Sequence, residues 1–215
     1  MFDKPIAITM SLSNVFKFLS FMSPFLIIFF MIMYSLLNNT LVKGLLFIAG
    51  ILIVTFINNI LKTLLKSLQS PMASPFCNVL PNPFTVKGDN NVFDSPSLNS
   101  TLIGFTTSML LFPMYQSKTF NAPLLVFLIS LLCINGAVEV HANCTKPVGI
   151  LLGTIVGVLF GILYYSAIKL SGNDDLAYFS EESSNNIQCS KPSKQQFRCK
   201  TRYRSKTSST GDDDP

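Results

Sequence analysis

Five apolar runs, divided by short polar breaks and one long polar stretch, pattern this chain. They cover approximately residues 16–37, 41–61, 97–115, 123–140 and 147–168. About 17–25 apolar residues suffice for a membrane-crossing helix, so each run predicts a span. The first run is longer than the apolar core of a signal peptide (about 7–15 residues) and lacks a clear small-residue cleavage site, so it is read as a helix that stays in the membrane. Pro24 kinks it or marks its entry, and Asn38-Asn39-Thr40 is a tight turn into the second helix. Asn58 and Asn59 lie near the far end of that helix, with Lys62 and Lys66 leading out at helical spacing. The polar stretch 62–99 is broken by Pro71, Pro75, Pro81, Pro83 and Pro96. A loop of that length inside a compact domain is functional or disordered. Ser97 or Asn99 caps the third helix, and Pro123 suits the first turn of the fourth. Glu139 marks a membrane boundary, where an acid faces water or a partner. The expected fold is all-α: a multi-pass transmembrane helical bundle of about five spans. It comprises an interfacial segment at 1–14, a helical domain at 15–169 with its loop at 62–99, and a disordered polar and basic tail at 170–215.

Within the last run, Gly149, Gly153, Gly157 and Gly161 recur every fourth residue. That spacing puts them on one helix face. In a membrane, such a face lets a neighbouring helix approach closely.

Composition agrees with a membrane chain. Of the 215 residues, 49% are hydrophobic and 13% charged, against about 25% charged in a soluble average. The net charge of +5 gives no case for nucleic acid, because the basic residues gather at helix ends and in the tail. Five spans put the N-terminus, the 62–99 loop and the 141–146 turn on one side of the bilayer and the tail on the other. Lysine and arginine are more numerous on the tail side, which directs it to the cytoplasm. The basic section 191–206 is either a solvated tail or attracted to anionic head groups. The five cysteines form neither a CxxC nor a zinc pattern. Cys77 and Cys144 fall on the same predicted side, which leaves a bond between them open. Three Asn-x-Ser/Thr sites, at Asn38, Asn99 and Asn143, lie too near the bilayer for ready glycosylation.

Three pieces of the loop-bearing side, spanning roughly residues 58–165, resemble the type-2 phosphatidic acid phosphatase family, the lipid phosphate phosphatases that share a fold with vanadium haloperoxidases. That family carries Lys-x6-Arg-Pro after one helix and Pro-Ser-Gly-His at the start of the next. It carries Ser-Arg-x5-His-x3-Asp before a glycine-bearing last helix. Here Lys62 holds the lysine position, and Gln69-Ser70-Pro71 stands where Arg-Pro would. Pro96-Ser97-Leu98-Asn99 replaces Pro-Ser-Gly-His. His141 matches the third-motif histidine, Thr145 stands at the aspartate, Asn135 at the arginine, and Gly149 and Gly153 match the following glycines.

The resemblance implies that His141 is the vestigial nucleophile, and that Asn99 and Thr145 occupy the catalytic positions of the general acid and the orienting carboxylate. Lys62, Gln69, Ser97 and Asn135 are left at phosphate-binding positions. Both arginines, whose forks clamp phosphate in two places, are gone. Loss of a general acid costs about 10²–10⁴-fold in rate, and loss of a charge-stabilising donor about 10²–10³-fold more. Glu139 and Lys146 are the available substitutes for the lost carboxylate and one lost cation. The losses favour a non-enzymatic membrane protein that binds or scaffolds, with no cofactor and no metal. Its partners would be the lipid bilayer and lipid head groups. Two alternatives stand beside it: an active lipid phosphate phosphatase with an altered site, and a structural protein of an organelle or virion membrane.

Overall fold

A computed structural model describes residues 11–74, 77, 86–88, 91–117, 121–171, 188–190 and 198–200. It is an all-helical bundle of α1 (Leu12–Leu37), α2 (Leu41–Leu65), α3 (Leu98–Ser117), α4 (Ala122–His141) and α5 (Pro147–Leu170). Between α2 and α3, β1 (Lys87–Gly88) pairs with β2 (Asn91–Val92); beyond α5, β3 (Gln188–Ser190) pairs with β4 (Arg198–Lys200), setting Cys189 opposite Cys199. The tail thus contains one antiparallel strand pair. The rest of it, and the expected interfacial segment up to residue 10, lie outside the described residues.

Four helices, α1, α2, α4 and α5, are long and apolar enough to cross a membrane. The fifth, α3, is not one of these by composition, because Asn99, Ser100, Thr101, Thr106, Thr107 and Ser108 dilute it. Its 20 residues extend about 30 Å at 1.5 Å per residue. Most of α3 is buried among its neighbours, so it need not present an apolar surface to lipid. Three of its hydroxyls are satisfied locally: Thr106, Thr107 and Ser108 donate to the carbonyls of Leu102, Ile103 and Phe105 at 2.9, 2.7 and 2.9 Å. Such back-bonding removes the penalty of burying a free hydroxyl.

The interface of α3 with α5 rests on small residues. A side chain at Gly153 would strike the Ser97 carbonyl, and one at Gly157 the Thr101 carbonyl and the Phe105 amide. One at Gly161 would meet Ser108 Oγ. The contact is reciprocal, since a Cβ at Gly104 of α3 would stand 2.8 Å from the Thr154 carbonyl of α5. The glycine face is therefore a helix-packing seam. Toward its far end Phe47, Phe105, Phe160 and Tyr164 form a ring cluster, and the Tyr164 hydroxyl donates to the Leu46 carbonyl at 2.8 Å.

The predicted loop is shorter than its sequence limits, because α2 continues to Leu65 and α3 begins at Leu98. Lys62 and Asn99 therefore stand on helices. The chain leaves α2 through Lys66 in the left-handed region, at φ 47°. It then folds back over the α4–α5 turn. Ser74 N–H donates to the Ala142 carbonyl at 3.0 Å, Gln69 Nε2 to the Cys144 carbonyl at 3.3 Å, and a disulfide joins Cys77 to Cys144. The pairing left open by the sequence is formed.

Candidate functional site

Glu139 is the only acidic residue in the five helices, and it is 2% exposed. The 3.6-residue repeat of α4 puts Asn135 and Glu139 on one face, turned into the bundle. Ser97, at the threshold of α3, donates its hydroxyl to Glu139 Oε2 at 2.7 Å. The side chains of Asn99 and Thr145 also hydrogen-bond the Glu139 carboxyl group. Lys62, brought in by the last full turn of α2 and 6% exposed, interacts electrostatically with both Glu139 and Asp94. Four elements thus bring one cationic side chain and three hydrogen-bond donors to one carboxyl group.

A second tier lies around this cluster. Thr101 Oγ1 lies 3.0 Å from Asn58 Oδ1 and 2.8 Å from the Ser97 carbonyl, two acceptors that share its one hydrogen. Ser20 of α1 donates to Asn135 Oδ1 at 3.2 Å. The Ser97 amide donates to the Gly149 carbonyl at 2.9 Å, and Thr145 Oγ1 reaches the Asp94 carbonyl at 3.5 Å. These bonds lock the start of α3 to the start of α5. Asn58 Nδ2, Asn135 Nδ2 and Asp94 Oδ1 are buried without a hydrogen-bond partner among the described residues. Such groups are rare in folded proteins, and they concentrate here.

Of the sequence-derived candidates, Lys62, Ser97, Asn99 and Thr145 meet at Glu139. Asn135 lies one helical turn away on the same face. Gln69 stands in the folded-back loop and donates to the α4–α5 turn. His141 is not in the cluster. The helix continues through it, so its side chain is rotated about 200° from that of Glu139. It is exposed and lines a groove against the first turns of α1. For the same reason Glu139 cannot orient the imidazole. Lys146 is exposed.

No family model, curated protein or solved structure matches this chain. The geometry of the cluster therefore carries the functional argument. Glu139 was singled out from sequence as a boundary acid that faces water or a partner and as a substitute for the lost carboxylate, but not as the centre of the cluster. Asp94, Asn58 and Ser20 carried no such signal, because polar residues near helix ends are common.

Proposed function

We propose that this membrane protein has a degenerate lipid phosphate phosphatase-like core, is catalytically inactive, and acts as a binding or scaffolding component of its membrane. One observation supports the reading above others: Lys62, Ser97, Asn99 and Thr145, which stand at motif positions of the resembled family, gather on the Glu139 carboxyl group and not on His141. In a working site, donors and a cation of this kind would converge on a phosphoryl group. Here a carboxyl group of the chain itself takes that place, and the nucleophile candidate faces elsewhere. The purified protein should hydrolyse phosphatidic acid no faster than a protein-free control, and His141→Ala should change nothing. Turnover that disappears in His141→Ala would establish the active alternative and overturn this reading.

Two independent features support one orientation of the chain in its membrane. The Cys77–Cys144 disulfide ties the loop to the α4–α5 turn, and disulfides persist in oxidising compartments. The lysine and arginine bias lies on the side of the tail. Both support a loop side that faces a lumen or the cell exterior and a tail in the cytoplasm, as an endomembrane or virion membrane would allow. In sealed vesicles, a protease site placed after Leu170 should be cut from the cytoplasmic side while one in the 78–85 section is protected. Equal access to both would contradict an odd number of spans between them.

A further inference from the structure

A buried polar group without a partner is costly, and the loop-bearing half of this bundle holds several. Thr55 Oγ1, Asn58 Nδ2 and Asn135 Nδ2 have no hydrogen-bond partner among the described residues, and all three residues are at most 6% exposed. The other end of each amide is held. Asn58 Oδ1 lies 3.0 Å from Thr101 Oγ1, and Asn135 Oδ1 accepts from Ser20 at 3.2 Å. The two Nδ2 groups are therefore fixed in direction. Thr55 is also unusual for a helical threonine here. Thr106, Thr107 and Thr154 donate to the carbonyl four residues back, whereas the Thr55 hydroxyl does not. Helix geometry pairs these groups. Thr55 and Asn58 are three residues apart on α2, and Asn135 and Glu139 four apart on α4, spacings that set Cβ atoms about 5–6 Å apart on one face. Neither pair bonds directly, since the Glu139 carboxyl group takes its hydrogen bonds from Ser97, Asn99 and Thr145. Two such side chains are within reach of one small bridging molecule.

The bridging molecule must accept a hydrogen from an amide N–H and donate one to a hydroxyl or carboxyl oxygen. A cation cannot do the first, and a simple anion cannot do the second. Water does both, and in protein interiors it makes about three hydrogen bonds to polar groups of this kind. We propose that ordered water bridges Asn58 Nδ2 to Thr55 Oγ1 and Asn135 Nδ2 to the Glu139 carboxyl group, so that the loop-bearing half of the bundle is hydrated. Thr55 lies about 10 Å deeper along α2 than Lys62. Beyond it Val54, Phe47 and Phe105 are fully buried in one apolar cluster, which ends the polar column and keeps the tail-side half dry. Hydration of this kind is independent of the phosphatase resemblance, since it follows from the unpartnered atoms alone.

The test uses the full-length, isotope-labelled protein in lipid bilayers. Solid-state NMR transfers magnetisation from water and detects it on the side-chain amides of Asn58 and Asn135. Dipolar contact and hydrogen exchange both carry the transfer, and both require water at the amide. Each of the two amides should give a water cross-peak, while the buried backbone amides of Phe47 and Leu128 should give none. Thr55→Val, which keeps the side-chain shape and removes the hydroxyl, should abolish the cross-peak at Asn58 and leave the one at Asn135. Absence of a cross-peak at either side-chain amide of the unaltered protein would overturn the proposal, because that amide would then be bonded to protein. So would cross-peaks of equal strength at Phe47 and Leu128, which would mean water throughout the bundle. An Asn58 cross-peak that survives Thr55→Val in a folded protein would equally overturn it.

Discussion

Replacing Glu139 by alanine will destabilise the bundle by about 1–3 kcal/mol, the usual cost of leaving buried polar groups without their hydrogen-bond partner. Lys62 would be left desolvated with Asp94 as its only nearby carboxyl group, and Ser97, Asn99 and Thr145 would lose their common acceptor. Lys62→Met should cost a comparable amount. The double replacement Lys62→Met/Glu139→Leu should recover much of the loss, because an apolar pair of similar volume carries no desolvation penalty. Thermal unfolding in detergent gives all three values, and a coupling of about 1–3 kcal/mol is expected for groups that interact directly. Additive losses would mean that Lys62 and Glu139 are energetically separate, and the cluster would dissolve into independent polar residues.

At Gly157, substitution will act through backbone rather than through charge. Its hypothetical Cβ meets the Thr101 carbonyl and the Phe105 amide, neither of which can rotate away. Gly157→Ala should therefore cost about 1–3 kcal/mol, the range for overpacking a close-fitted interior. Gly157→Leu should prevent recovery of a monodisperse folded protein, since α3 and α5 would have to separate along their length. Gly136→Ala is the matched control. Its Cβ would meet only the Ile150 side chain, at 3.3 Å, with no backbone atom in the way. A Gly157→Leu protein as stable as the parent would turn the glycine face toward lipid and remove the packing account.

The helices and the glycine seam were legible in the sequence because each follows from a repeat that local chemistry enforces. Apolar runs form helices in lipid since the backbone must satisfy itself, and small residues four apart leave a groove whatever else surrounds them. The limits of α2 were less legible. The helix keeps Lys62 inside because Asp94 and Glu139 arrive from distant segments to balance it, and no local pattern reports that. The polarity of α3 was similarly ambiguous until its neighbours were known to cover it.

The candidate site divides along the same line. The family resemblance brought Lys62, Ser97, Asn99 and Thr145 forward as candidates, and the fold brings them together. The resemblance also put His141 forward, but a motif position says nothing about whether a helix has ended. Because α4 continues through His141 and does not end at Val140, Glu139 faces inward and the imidazole outward. The loop contacts of Gln69, Ser74 and Cys77 with the α4–α5 turn span more than sixty residues. They depend on how the whole bundle closes.

The claim that the Glu139 carboxyl group holds the place of a ligand anion is tested most directly by asking whether an added anion can replace it. Thermal unfolding of the parent, Glu139→Ala and Glu139→Gln is compared in rising inorganic phosphate against chloride at matched ionic strength, with phosphate present from solubilisation onward. Phosphate should raise the melting temperature of Glu139→Ala saturably, recovering about 2–3 kcal/mol at a hundredfold excess over its dissociation constant. It should leave the parent and the volume-conserving Glu139→Gln unchanged, and Lys62→Gln in the alanine background should abolish the gain. A phosphate response of equal size in the parent and in Glu139→Ala, or none in Glu139→Ala, would contradict the account.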